Sequence, residues 1–176
     1  MSIRKKLIFS FLTLWLAMIP MACRRVDNVA YSHFESLGGE GWDPVMVLPF
    51  FPFPLDSIVS PADRYDLILT LRYSPRTSTA VIPLEISEED ENGPLDSRRI
   101  IIKLRDDNGN FIGRGGLPMY EISDTIKRDF KLPDGYMVEI ASISPVENTK
   151  CLQAVGLTLR KAGAPPILPN FNFLNR

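Results

Sequence analysis

Between Tyr65 and Tyr73 the chain alternates without a break. Tyr65, Leu67, Leu69, Leu71 and Tyr73 fall on one side of an extended backbone, and Asp66, Ile68, Thr70 and Arg72 on the other. That period of two marks a strand with one face in a core. The pattern recurs downstream. Val81, Ile82, Leu84 and Ile86 surround Pro83 in a second candidate over 80–86. From Arg98 to Arg105, Ile100, Ile102 and Leu104 alternate with Arg99, Ile101, Lys103 and Arg105. Leu117–Ile122, Ile126–Leu132, Tyr136–Ile143 and Ala154–Arg160 supply further candidates; in the last, Val155, Leu157 and Leu159 oppose Gly156, Thr158 and Arg160. Val45–Phe53 is apolar, but Pro49, Pro52 and Pro54 each remove a ladder donor. This predicts an edge strand or an extended crossing between sheets.

Turn chemistry separates these runs. Asp106-Asp107-Asn108-Gly109 suits a type I′ hairpin turn, and the returning arm, Asn110 to Gly116, holds three glycines, as a bulged strand would. Pro133-Asp134-Gly135 combines a fixed φ with a residue that accepts the left-handed conformation. Glu88 to Pro94 reads as an acidic, turn-rich loop with nothing to bury, and Ser144 to Gln153 as a connection with room for one helical turn. No helical period is sustained beyond a turn or two. The expected fold is all-β: an antiparallel, jelly-roll-like sandwich of about eight strands over residues 45–161. The Pro- and Asn-rich stretch 162–176, with Phe171 and Phe173, reads as a partly disordered tail.

One apolar run does not alternate. Leu7 to Ile19 spans 13 residues behind the basic head Arg4-Lys5-Lys6. As a helix it would measure roughly 20 Å, short of a bilayer core of about 30 Å and right for a signal-peptide core. Pro20-Met21-Ala22-Cys23 follows, a small residue directly before a cysteine. Residues 1–22 are therefore expected to be a lipoprotein signal peptide and Cys23 the acylated residue, tethering the rest to a membrane. Residues 23–44 read as a lipidated leader, in which Tyr31, Phe34 and Trp42 plug into the side of the sheet.

Composition narrows the chemistry. The chain has 20 Lys+Arg and 21 Asp+Glu; without the three signal cations the balance is 17 against 21. A mildly acidic domain lacks the basic stripe of a nucleic-acid binder. With Cys23 acylated, Cys151 has no partner and reads as a buried, inert thiol. The one histidine, His33, reads as a surface or packing residue, and His-based catalysis or metal binding has little to build on. Asp106, Asn108 and Asn110 resemble the start of a calcium loop, but Phe111 and Leu117 stand where its Gly and Glu belong. Glu88–Glu91 reads as solvated. The expectation is a protein without metal or cofactor and not an enzyme.

Several short motifs occur in a telling order: Cys23, Tyr31 and Trp42, then Leu67-Ile-Leu-Thr-Leu-Arg72, Gly109-Asn-Phe-Ile-Gly-Arg-Gly115, Gly135-Tyr-Met-Val-Glu-Ile140 and Val155-Gly-Leu-Thr-Leu159. Together they resemble the gliding-motility lipoprotein H family (GldH-like) of Bacteroidetes over about residues 23–161, with Phe111 where the family carries tryptophan. The resemblance implies a non-enzymatic accessory or scaffold component of a gliding-motility or associated secretion complex, with envelope proteins as partners. Arg24-Arg25 behind the cysteine point to an outer-membrane anchor facing the periplasm, since surface-exported lipoproteins of that phylum tend to carry acidic residues there. The alternative is a glycan-binding surface lipoprotein, with Trp42, Phe51, Phe53 and Tyr120 as the aromatic platform. Trp42 and Tyr120 are the candidate ligand- or partner-binding residues.

Overall fold

The computed structural model describes residues 28–52 and 63–164. The signal segment, Cys23, Arg24-Arg25, Phe53, Pro54 and the stretch from 165 onward lie outside the described residues. Nine strands follow in chain order: β1 (Val29–Ser36), β2 (Val47–Phe50), β3 (Arg64–Tyr73), β4 (Val81–Asp90), β5 (Gly93–Lys103), β6 (Arg114–Gly115), β7 (Tyr120–Lys131), β8 (Met137–Ser142) and β9 (Leu152–Lys161). One short helix, α1 (Val146–Thr149), precedes β9.

The strands form two antiparallel sheets, ordered β1-β9-β3-β7-β6 and β2-β8-β4-β5. β1 pairs with β9, β2 with β8, β3 with β7 and β4 with β5. The chain is thus one long hairpin, its tip the turn between β4 and β5, rolled up so that β3 also meets β9 and β4 meets β8. This is a jelly roll with β6 as a two-residue addition.

The inward rows are those the alternation marks. Tyr65, Leu67, Leu69, Leu71 and Tyr73 of β3 face Ile82, Leu84 and Ile86 of β4 with Val138 and Ile140 of β8, and Val155, Leu157 and Leu159 of β9 complete the layer, all buried. Each such side chain contributes about 1.5–3 kcal/mol by leaving water. β2 lies at a sheet edge, as its prolines predict, with Leu48 and Phe50 turned inward and Pro49 outward. Pro83 sits within a central strand because β8 pairs only from Leu84↔Ser142 onward, so no ladder donor is lost at 83.

The structure departs from the sequence reading at four places. The leader is not separate from the sandwich: β1 is a full strand in register with β9 from Val29↔Arg160 to Ser36↔Ala154. Its alternation is masked because Phe34 points to the outer face and lies on Gly156, where a side chain would collide with the ring. The expected loop at Glu88 is strand: β4 runs to Asp90, and Glu88 is buried. The candidates 117–122 and 126–132 overlap one strand, β7, which begins only at Tyr120 and has irregular register against β3 near Leu67. The turn after Arg105 is not type I′, which needs two positive φ values: Gly109 takes φ 83° but Asn108 does not. Asp106 and Asn110 instead close a three-residue loop, Asp106 N donating to Asn110 O at 2.9 Å.

Candidate functional site

The chain enters and leaves at the same end of the sandwich. Lys161 N donates to Asn28 O at 2.8 Å, beside Arg64 and Asp129. Here the core closes on charge. Glu88 lies on the inward row of β4 after Ile82, Leu84 and Ile86, with no side-chain exposure. Arg98 of β5 donates to its Oε1 at 2.6 Å, and Tyr136 to its Oε2 at 2.5 Å. Lys127, from β7 of the opposite sheet, binds the same Oε2. Arg98 also crosses the gap to the Ile126 carbonyl at 3.0 Å and pairs with Asp96. Burial pushes the Glu88 carboxyl up, but the hydrogen bonds from Lys127, Tyr136 and Arg98 outweigh it and hold the group below the usual carboxylate range. Tyr136 shifts the other way: burial, then the Glu88 carboxylate, push its phenol far above the ordinary value. The arrangement is a structural tie in which the carboxylate stays ionised.

The far end closes on aromatic rings. Tyr73 stacks on Tyr120 with centroids 5.8 Å apart, and Phe111 sits 5.2 Å from Tyr120. The Tyr73 hydroxyl lies between the Leu104 and Ile112 carbonyls and donates to them. Its pKa is pushed up to about 12, chiefly by burial and then by Tyr120. Arg105 lies 3.9 Å over the Phe111 ring and reaches the carbonyls of Gly109 (2.7 Å) and Thr77 (2.6 Å). It therefore pins the 74–80 loop to the hairpin.

Beside this cluster a polar cleft of about 470 Å³ opens between the 74–79 loop, α1 and the start of β9. Ser74, Arg76, Thr77, Thr79, Asn148 and Lys150 line it. Its walls are fixed by backbone: Ser74 N donates to Cys151 O at 2.8 Å, and Thr79 Oγ1 to Asn148 O at 3.1 Å. Lys150 is held by Glu147 at 2.9 Å, whereas Arg76 has no ion pair among the described residues. Cys151 is buried in the wall, and burial pushes its thiol up, so it is neutral and a poor nucleophile. Hydroxyls, the amides of Asn148 and Gln153, two cations and the Glu147 carboxylate make this a surface for polar recognition.

The candidate residues from the sequence separate here. Cys23 lies outside the described residues. Trp42 is fully buried: its Nε1 donates to Met46 O at 2.8 Å and its backbone N to Thr149 Oγ1 at 2.8 Å. With no exposed ring face it anchors the 37–46 loop to α1, which corrects its assignment as a binding residue. Gly41 makes that docking possible, since a Cβ there would meet Val146 Cγ1 at 2.6 Å. Tyr120 is half-buried and gives one ring face to Tyr73. Phe51 remains exposed and the two rings are not brought together with Trp42. His33 is exposed and bonded to Glu35 at 2.7 Å. The Asp106 carboxylate, which suggested a calcium loop, accepts from Asn110 and Asn108 within its own turn, and these bonds hold it below the usual range. Sequence reasoning missed Glu88, Arg98, Lys127 and Tyr136. The signal was parity: Glu88 extends the row Ile82-Leu84-Ile86, and Arg98 the row Ile100-Ile102-Leu104.

No family model matches the chain, and no curated protein matches it. Two solved structures of the Tobacco streak virus coat protein are matched. The C2 crystal form at 2.1 Å is 10% identical with a TM-score of 0.32, over 88% of this chain and 100% of that one. The dimer at 2.4 Å is 9% identical with a TM-score of 0.31, over 88% and 98%. Likeness at this level carries nothing about function. Among the described residues no helix is long and apolar enough to cross a membrane.

Proposed function

We propose that the chain is a lipid-anchored, non-enzymatic envelope lipoprotein. In this reading it is a scaffold component of a gliding-motility or associated secretion complex, as the resemblance of its motif order to GldH-like lipoproteins implies, anchored through Cys23 in the outer membrane and facing the periplasm. The observation that supports it is the polarity of the sandwich. β1 begins at Val29, six residues beyond Cys23. Such a link reaches at most about 20 Å however it is arranged. The end where β1 enters would then sit against the membrane, and the aromatic end with its cleft and loops would be held away from it, where partners approach.

The glycan-binding reading loses support at Trp42, whose ring is enclosed; Phe51 keeps 58% exposure, and Phe53 lies outside the described residues. The experiment is fractionation followed by capture. Cys23→Ser is expected to abolish acylation and move the domain to the soluble fraction; continued pelleting with membranes would overturn the anchor. The lipidated protein, captured from native envelopes, is expected to bring down defined envelope proteins. Retention on polysaccharide with no protein recovered would reverse the choice.

A further inference from the structure

The four-stranded sheet has two edges of different character. One is β2, four residues long with Pro49 in it. The other is β5, 11 residues long, with no proline after Pro94. Among the described residues β5 pairs with β4 alone. Exposed strand edges of this length attract other strands unless they are blocked.

The register states which backbone groups face away from β4. Leu104 N donates to Ala80 O at 2.7 Å, and the ladder continues Val81↔Lys103, Ile82↔Ile102, Pro83↔Ile101, Leu84↔Ile100 and Glu85↔Arg99. Bonded and non-bonded pairs alternate in an antiparallel ladder. Arg99, Ile101 and Lys103 are therefore in non-bonded pairs and turn their N–H and C=O groups away from β4. Pro83 fits the same parity: it has no N–H to give, and its carbonyl accepts from Ile143 N at 3.2 Å on the side away from β5.

The same three residues point their side chains outward. Ile101 is 66% exposed, flanked by Arg99 and Lys103, and Val81 extends the apolar strip. Arg99 has only a loose contact with Glu85 at 3.7 Å, and Lys103 one with Asp107 at 4.0 Å. From Ser97 to Arg105 the chain carries Arg98, Arg99, Lys103 and Arg105 and no acid. Two copies laid edge to edge would bring like charges together, which is unfavourable across strands.

We propose that β5 is a docking edge for an extended segment of a partner protein, added as a fifth strand, with acidic, apolar and acidic side chains at alternate positions against Arg99, Ile101 and Lys103. This rests on the scaffold reading and names its contact. Main-chain bonds supply the affinity and the outer-face side chains the selection.

The test uses the full lipidated protein in detergent with a labelled peptide, Thr-Glu-Thr-Val-Thr-Glu-Thr, and its counterpart with lysine for glutamate, both up to millimolar concentration. The acidic peptide is expected to bind about tenfold more tightly than the lysine one, and to slow amide exchange at Arg99, Ile101 and Lys103. Ile101→Pro removes one edge donor and no β4 bond, so it is expected to abolish binding with an unchanged circular dichroism spectrum. Arg99→Glu combined with Lys103→Glu is expected to reverse the peptide preference. No slowing of these three amides, or equal slowing by both peptides, would overturn the proposal. Protection of the same amides in a self-associated form without peptide would also overturn it, making a second copy the occupant. If envelope partners still co-purify while Ile101→Pro changes nothing, the scaffold reading stands and this edge falls.

Discussion

At the end where the chain enters, the core stops at Glu88, one carboxylate holding Arg98, Lys127 and Tyr136. At the far end it stops at Tyr73, a phenol set between two carbonyls and stacked on Tyr120. Both devices cross from one sheet to the other, and they differ in tolerance. A buried carboxylate needs each of its cations, because the desolvation of ions is recovered only by close and complete pairing. Stacked rings depend mainly on area, and accept small changes in the loops around them. The charged end is therefore the place that fixes how the sheets meet, and the aromatic end the place where loops can vary around a polar cleft.

Removing the charge tie is expected to have the largest effect. Glu88→Ala leaves Arg98 and Lys127, with side chains 28% and 30% exposed, facing the interior without their acceptor. A loss of about 3–5 kcal/mol in urea unfolding is expected, the range for breaking a buried pair from one side. Tyr73→Phe keeps the ring and removes one donor, so the Leu104 and Ile112 carbonyls lose it at a cost of about 1–2 kcal/mol. Equal losses would mean that the two ends do not differ in the way described.

The ends also divide the pH axis. The folded Glu88 pKa is lowered, so its stabilisation is complete above the unfolded value of about 4.3 and is lost as pH falls through the folded value. The folded Tyr73 pKa is raised to about 12. Its contribution is complete below the unfolded value of about 10 and is lost as pH rises toward the folded value. Tyr136 is raised as well and shares the alkaline limb. Glu88→Gln should flatten the stability profile below about pH 4 and reduce the alkaline limb only by the part that the Glu88 carboxylate lends to Tyr136; Tyr73→Phe should leave the acid limb in place and remove its own share of the alkaline one. Unfolding midpoints from pH 2 to 11 would show whether either limb belongs to another group.

The same contrast explains what could be read in advance. The row Tyr65 to Tyr73 was legible because a strand buried on one face writes its period directly into the sequence. β1 was not, since Phe34 faces outward and is tolerated only because Gly156, far along the chain, leaves room for its ring. Glu88 was misread as loop because three further acidic residues follow it, although its parity with Ile86 was visible. Trp42 was legible as an anchor through its type and spacing but not as a fully enclosed one. The cleft had no signature at all: its walls come from residues 39, 74–79 and 147–153, which only the rolled-up hairpin brings together. Edge status is legible where proline marks it, as in β2, but not at β5, where it depends on strand order alone.

The smallest expected effect tests whether the cleft is part of the stabilising end or merely beside it. Arg76 is exposed, carries no ion pair among the described residues, and its backbone is held by Ser74 Oγ at 3.2 Å independently of its guanidinium. Arg105 does the structural work nearby, binding Thr77 O and stacking on Phe111. Arg76→Ala should therefore change unfolding stability by no more than about 0.5 kcal/mol, whereas Arg105→Ala should cost about 1–3 kcal/mol through a lost cation–π contact and unmet carbonyls. A cost at Arg76 as large as that at Arg105 would place the guanidinium in the frame of the sandwich. Near-neutrality would leave it as a charge held at the open end with no structural duty, so that any ligand taken there would be bound by a side chain the fold does not need.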